Sequence, residues 1–513
     1  VAGFGEAVFV PLEKGQRLVL QDSVVVDRPA HEVWAFVRDM ENYPLWFAGI
    51  VKMASADNLP VATVGKRYDE NAIAPGGKEE TISVEIVAAD EVHYHLAIQA
   101  SLEPFVPRFD YKVVPVSEGR SVFHWRSVST GGSLKAKLIL PIFRMILRKR
   151  LTASLANFRR ILAGRPDEVM SAAMFWRFGS PREAIRLFDR AARPKAGKGE
   201  ILVRQRATSV NHIDCHRRKG YGRNAMRVRG ALNFPVILGN DISGDVVSVG
   251  EGVAGFKPGD AVVAVKAPSS NGAFAEYVAV KADTTVHKPV ALSYEDAAAL
   301  PYTFFTAWSA LFNDGGLTRE NASGKRIFVQ GGAGGVGSMA IQIARYLGAD
   351  VSASCGPGQN DLVAALGASA TYDYTIEDFA ASVHDVDIAF CTANTSEQDK
   401  LISILKSGID ARYVTVIHPT LPLTDELGLL KGFMTAKKQL KKANKELAAS
   451  GKKIGWTIFK ADPPAVALFR EMLEKGALRP IIDSSFEFTD IVAAQERLES
   501  GQATGKVVVK FSQ

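Results

Sequence analysis

The stretch IFVQGGAGGVGSMAIQIARYLGADVSAS, from Ile327 to Ser354, constrains this chain more than any other. IFVQ reads as a buried strand, GGAGGVG (Gly331–Gly337) as a tight turn, SMAIQIARYLG as a helix and ADVSAS as a second strand. That order is what gives a glycine-rich motif its meaning. Side chains in the turn would keep the backbone away from a pyrophosphate, and the helix N-terminus offers unpaired N–H groups and a positive dipole end. Gly331, Gly334, Gly335, Val336 and Gly337 are therefore expected to hold a dinucleotide. An acid at the end of the second strand would bind a ribose 2′-hydroxyl and repel a 2′-phosphate. Here Ser354, Cys355 and Gly356 follow, with no acid until Asp361. NADPH is the expected cofactor, although no Lys or Arg stands in the turn. Ser354, Gly356 and Tyr374 are candidate contacts.

One such unit does not fill 513 residues, a length that suggests about three domains. Hydrophobic residues at 47% and charged residues at 23% exclude a disordered, collagen-like or coiled-coil chain. A net charge of +7 is small for this length and gives no reason to expect nucleic-acid binding. Cys215, Cys355 and Cys391 are too few for a disulfide framework or a four-cysteine zinc lobe. No run of about 18 apolar residues predicts a membrane span, and the opening residues lack a signal-peptide pattern. A cytoplasmic protein is expected.

Residues 1–163 read as a separate unit, followed by a linker at 164–171. LVLQDSVVV (Leu18–Val26) reads as a strand and HEVWAFVRDMENYPLWF as an amphipathic helix and turn. ETISVEIVAA, VHYHLAIQ, FDYKVVPV and SVFHWRSVS alternate as strands of an antiparallel sheet. In the closing stretch Phe143, Ile146, Leu147, Leu151, Leu155, Phe158 and Leu162 recur at helical spacing. Val92, Tyr94, Leu96 and Ile98 are expected to line the space between sheet and helix. Alternation turns His93, His95 and His124 outward, where solvated histidines are the simplest reading. Trp34, Tyr43 and Trp46 read as core or cavity wall. Over residues 15–163 this pattern resembles the START-like polyketide cyclase and lipid-transport superfamily. The resemblance implies an α+β helix-grip fold that binds a hydrophobic ligand. No polar constellation for catalysis is evident inside it.

Around the glycine turn, GEILVRQRATSVNHIDCHRRKG, FPVILGNDISGDVVSVGEGV, GAFAEYVAV, AAALPYTFFTAWSAL and GQATGKVVVKF complete a second resemblance, to the medium-chain dehydrogenase/reductase superfamily over residues 172–513. ARYVTVIHP and GALRPIIDSSFEF bring it near the reticulon-4-interacting-protein type, related to quinone reductases. It implies a GroES-like catalytic domain at 172–295, a Rossmann domain at 296–435 and the rest of the catalytic domain at 436–513. Zinc members carry cysteine where Asn211 stands and Gly-His-Glu where Gly239, Asn240 and Asp241 stand. Amides bind zinc poorly, so no metal site is expected; Cys215 and His216 form only a weak alternative pair. Hydride transfer from NADPH to a quinone or α,β-unsaturated carbonyl remains. The resemblance places Asn211 near the nicotinamide and Tyr221 where related enoyl reductases carry a tyrosine that can supply a proton or a hydrogen bond. Thr306 and Lys506 match cofactor-contacting positions, and Val416 is set with them; His212 and Asp214 are weaker candidates.

Basic residues gather late in the 134–163 stretch and in KKQLKKANKEL from Lys437. Solvated helix faces are the simpler reading; contact with a membrane or an acidic carrier protein is the functional one. A homodimer is a further expectation by resemblance. Three functions follow: a reductase fed with a hydrophobic quinone, enone or polyketide-like substrate by the first unit; a bifunctional cyclase or dehydratase plus reductase; and a redox-sensing lipid carrier.

Overall fold

The structure, a computed structural model, describes residues 8–73, 79–130, 134–228, 231–232, 234–268, 271–393, 395–408 and 411–512. It divides into two units: Val1–Ser171 with Asp189–Arg193, and Ala172–Phe188 with Pro194–Gln513.

Alternating sequence in the first unit produces one seven-stranded antiparallel sheet. Its order is Arg17–Val26, Arg120–Ser129, Pro107–Ser117, His95–Ala100, Glu79–Asp90, Arg67–Ile73, Ile50–Ser55. The helix Leu134–Ala163 buries Leu147, Leu151, Leu155 and Phe158. Phe158 stacks on Phe123 with ring centroids 4.1 Å apart and meets Trp46 edge-on at 5.0 Å. Tyr111 and Trp125 are direct cross-strand partners on the inner face. This is the expected helix-grip α+β arrangement.

Three expectations need correction here. Val92 is 81% exposed, because strand geometry starts only at His95 after a turn in which Tyr94 takes φ +50°; Leu96 and Ile98 are buried as expected. His124 does lie on the outer face but is not solvated: the Phe9 ring meets it at 6.3 Å, leaving it 4% exposed. Most importantly, the interior is not free of polar groups. Glu70, Tyr111, Trp125 and Ser127 are all buried. Arg150, counted on sequence with the basic surface of the long helix, is half-buried, with its guanidinium against Gly49.

The second unit contains a six-stranded parallel sheet ordered Ala370–Asp373, Asp350–Cys355, Arg326–Gln330, Ile388–Cys391, Ala411–Thr415, Lys452–Trp456. Ile327, Val329, Val351 and Ala353 are buried on one face of this sheet and Phe328, Ala389 and Ala411 on the other, which is why these strands read as near-continuous apolar runs. The expected boundary between 435 and 436 falls inside the helix Leu429–Leu447, and the last strand of this sheet lies beyond it. The expected linker likewise contains the start of the strand Val169–Phe175. A second sheet is built around Glu200–Val210, which pairs with Asp241–Val249, Tyr277–Lys281 and Lys506–Lys510. The chain thus returns to its catalytic β domain after completing the nucleotide domain, as expected. No helix among the described residues is long and apolar enough to cross a membrane.

Candidate functional site

The glycine turn is built around one carbonyl. Gly331 takes φ +80°, and its C=O accepts the N–H of Gly334 at 3.0 Å. A Cβ at Gly337 would lie 2.1 Å from that same oxygen, so only glycine fits where the helix Gly335–Tyr346 begins. The N–H groups of Gly331 and Gly332 donate to Ser354 O at 3.1 and 2.7 Å, which fixes the turn to the end of the second strand. Helix N-terminus and glycine backbone form a cradle suited to a pyrophosphate.

Lys506 reaches this cradle from the catalytic domain. A Cβ at Gly335 would meet Lys506 Cδ at 3.1 Å and Thr303 Cγ2 at 3.0 Å. Lys506 Nζ donates to Asn211 Oδ1 and lies 3.3 Å from Asp241 Oδ2. Asp241 is the hub of the site. Its carboxylate also accepts Asn211 Nδ2 at 2.8 Å, Ser209 Oγ at 2.5 Å and the Tyr302 N–H at 2.7 Å. Every member of this network except Tyr302 is buried, so the carboxylate is fully engaged rather than solvated.

Asn211 is placed by a second carboxylate. It caps the helix His212–Arg218 in a capping box with Asp214. Asp214 accepts the N–H of Asn211 at 2.9 Å and of Gly239 at 3.0 Å, tying the two loops together. Burial pushes the Asp214 carboxyl up to about 6. Tyr221 follows the same helix, its N–H donating to His216 O at 3.0 Å and its ring 5.5 Å from the His216 ring. Asp425 anchors that loop by accepting the N–H of Gly222 and of Asn224 at 2.6 and 3.0 Å. Burial first, and then Asp425, raise the Tyr221 phenol, so it keeps its proton.

The structure thus brings Asn211, Lys506 and the glycine turn together. Thr306 is buried in the helix Pro301–Trp308, its hydroxyl donating to Tyr302 O at 2.7 Å. Ser354 is buried beneath the turn. The Gly356 N–H donates to Gln359 Oε1 at 2.9 Å, and Tyr374 is 60% exposed beside it through its bond to Cys355 O. Val416 follows the fifth strand, its N–H directed to Cys391 O at 3.4 Å. Asp241, Ser209, Tyr302 and Thr303 were not singled out on sequence as site residues. For Asp241 a signal existed: it occupies the acidic position of the Gly-His-Glu pattern.

The zinc positions do not suit zinc. The Asn211 amide is held between Lys506 and Asp241, and Asn240 Nδ2 donates to Lys266 O at 2.7 Å. Cys215 is buried, its thiol pushed up to about 12, while His216 on the same helix is exposed. Among the described residues no three His, Cys, Asp or Glu side chains are grouped to hold a metal.

Residues 197–290 match the family described as alcohol dehydrogenase GroES-like domain, and residues 366–509 match zinc-binding dehydrogenase. The mitochondrial NAD(P)H oxidoreductase RTN4IP1 of Mus musculus is 34% identical over 388 residues, covering 71% of this chain and 98% of its own. The chain belongs to the medium-chain dehydrogenase/reductase family. This medium-chain reductase also resembles quinone-oxidoreductase QR1 of Triphysaria versicolor, at 30% identity over 62% of this chain and 91% of that one. The solved quinone oxidoreductase from Coxiella burnetii superposes with a TM-score of 0.55 at 27% identity, over 66% of this chain and 99% of that one. Residues 17–163 match polyketide cyclase / dehydrase and lipid transport, so the reductase is fused to a START-like domain. It is an oxidoreductase that uses a nicotinamide cofactor.

Proposed function

We propose that the chain is a zinc-independent reductase that moves a hydride from NADPH to a hydrophobic quinone or α,β-unsaturated carbonyl. The observation that carries this reading is the Lys506–Asn211–Asp241 network standing at the zinc positions, within reach of the glycine cradle. Gly331, Gly334, Gly335, Val336 and Gly337 would hold the pyrophosphate, and the nicotinamide supplies the hydride. Lys506, held in place by Asp241, presents a positive charge where negative charge develops on the acceptor oxygen. Tyr221 keeps its phenolic proton and can deliver it to that oxygen or to carbon. Quinones and enones are already electrophilic, so orientation, a cation and a proton source suffice without a Lewis acid.

For cofactor choice, Asp373 and Glu377 lie near Cys355 but are engaged: Asp373 Oδ1 accepts from Thr375, and Glu377 accepts the Asp373 N–H at 2.6 Å. The exposed Tyr374 ring and the acid-free turn at 354–360 favour NADPH. The names of relatives support the acceptor class; one is a 2-methylene-furan-3-one reductase of Solanum lycopersicum, 31% identical over 79% of that protein. The deciding experiment is stopped-flow oxidation of NADPH and of NADH by a short-chain ubiquinone and by an enone, with and without EDTA. The reading requires turnover, preference for NADPH and indifference to EDTA; no oxidation above background with either acceptor ends it.

A hydrophobic acceptor resides in membranes, and one helix suits a peripheral contact. Leu429–Leu447 packs Gly432, Ala436, Leu440 and Ala443 inward and exposes Leu430 and Met434, with Lys437, Lys438, Lys441 and Lys445 behind them.

A further inference from the structure

The loop that carries Tyr221 is anchored from outside its own domain. Gly220 and Gly222 flank the tyrosine at φ +94° and +72°, left-handed values that glycine adopts without strain. Just beyond the tyrosine, two backbone groups converge on one side chain. The N–H of Gly222 donates to Asp425 Oδ2 at 2.6 Å, and that of Asn224 to Asp425 Oδ1 at 3.0 Å. Asn224 Nδ2 adds a bond to Thr424 O at 2.8 Å. A Cβ on Gly222 would meet Leu421 Cδ1 at 3.2 Å, so the two segments are packed as well as bonded. Leu421, Thr424 and Asp425 all belong to the helix Thr420–Leu427, which follows the fifth strand of the parallel sheet.

That helix is itself fixed to the nucleotide domain. His418 Nε2 donates to Thr457 O at 3.0 Å, just past the last strand of the sheet, which leaves Nδ1 to accept the Thr420 hydroxyl at 2.9 Å. The His418 ring lies parallel to Trp456 at 5.7 Å. On the other side Gly432 of the helix Leu429–Leu447 packs so closely that a Cβ there would lie 2.4 Å from Leu423 O and from Thr424 Cα. Asp425 is therefore a fixed part of the nucleotide domain, whereas Tyr221 comes from the catalytic domain. A carboxylate that accepts backbone N–H groups forms charge-assisted bonds, roughly twice as strong as neutral ones. With one oxygen on each amide, neither amide can turn without breaking a bond.

We propose that Asp425 is a positioning residue for proton transfer: it binds the Tyr221 loop to the nucleotide domain, so that the phenol is set relative to the nicotinamide by the domain that holds the nicotinamide. The role rests on the reading of Tyr221 as the proton donor of a reductase. Asp425 acts through the loop and not on the reacting atoms.

The test compares Asp425→Asn, Asn224→Ala, Tyr221→Phe and the double change Asp425→Asn/Tyr221→Phe in the full chain. Asparagine keeps one oxygen for one N–H and turns an amide NH2 toward the other. In Asp425→Asn we expect hydrogen exchange of the segment 219–226 to quicken by about tenfold, with and without NADPH, while the glycine turn at 331–337 exchanges as in wild type. With a short-chain ubiquinone, kcat falls by about tenfold and KM for NADPH stays unchanged. Asn224→Ala spares the carboxylate, quickens exchange and lowers kcat by about threefold, and it carries the test if Asp425→Asn does not fold. The double change is no slower than Tyr221→Phe alone, because a misplaced phenol and a missing one are equivalent. Unaltered exchange in 219–226, faster exchange spread equally over the nucleotide domain, or a further loss of kcat when Asp425→Asn is added to Tyr221→Phe would each overturn the positioning role. A wild-type kcat in Asp425→Asn beside a slow Tyr221→Phe would do the same. A wild-type kcat in Tyr221→Phe itself would end the proton-donor reading, and the positioning role with it, so the two failures are told apart.

Discussion

Lys506 Nζ lies 3.3 Å from Asp241 Oδ2 at a buried point of the second unit, between positions 265 residues apart in the chain. Neither charge has water to fall back on. Asp241→Asn leaves the ammonium with a neutral partner and should lower stability by about 3–5 kcal/mol. Urea unfolding of the full chain measures this, and the double change with Lys506→Met should recover part of the loss. An unchanged midpoint for Asp241→Asn would show that the pair carries no net energy.

The glycine turn should respond unequally to alanine. At Gly337 the new Cβ would lie 2.1 Å from a rigid backbone oxygen; at Gly335 it meets only side-chain atoms, Thr303 Cγ2 at 3.0 Å and Lys506 Cδ at 3.1 Å. Gly337→Ala should therefore lose cofactor binding outright. Gly335→Ala should fold, displace Lys506 and lose about one to two orders of magnitude in turnover. Fluorescence titration with NADPH and steady-state kinetics separate the two.

Tyr221→Phe should keep cofactor affinity while kcat falls by about 10²-fold, the usual size of a general-acid contribution. Because burial and Asp425 raise the phenol, wild-type activity should show no loss from tyrosine ionisation between about pH 6 and 9. A wild-type kcat in the phenylalanine variant would remove Tyr221 from the chemistry.

Glu70 should tilt stability with pH. Below its ordinary value of 4.5 the carboxyl is protonated in folded and unfolded chains alike. Between 4.5 and about 7 the unfolded chain releases the proton while the folded chain retains it, so stability falls as pH rises. The full loss, on the order of 3 kcal/mol, is present above pH 7. Glu70→Gln should flatten that slope, which unfolding midpoints at about pH 5 and pH 8 would reveal.

The glycine turn, the helix-grip pattern and the amides at the zinc positions were all legible because each is local: a few adjacent residues whose chemistry is fixed by their spacing. Asp241 stands at an acidic position in the sequence, but its importance comes from Lys506 and Tyr302, which only the fold brings to it. The polar cluster of the first unit was hidden for a different reason. Glu70, Tyr111 and Arg150 come from two strands and a helix, and each alone reads as an ordinary alternating or surface residue. Val92 lies in a turn that Tyr94 makes with positive φ, which the alternation of the sequence does not distinguish from the strand that starts at His95. The end of the nucleotide domain was misplaced because the helix Leu429–Leu447 looks like a boundary, while the strand after it belongs to the same sheet.

The strand Lys506–Lys510 pairs with Glu200–Val210, and Lys506 meets Asn211 across 295 residues of chain. During synthesis, then, Asn211 and Asp241 emerge long before the cation that completes them. A chain halted before residue 506 would carry the buried Asp241 carboxylate without the cation that faces it in the complete fold of the second unit.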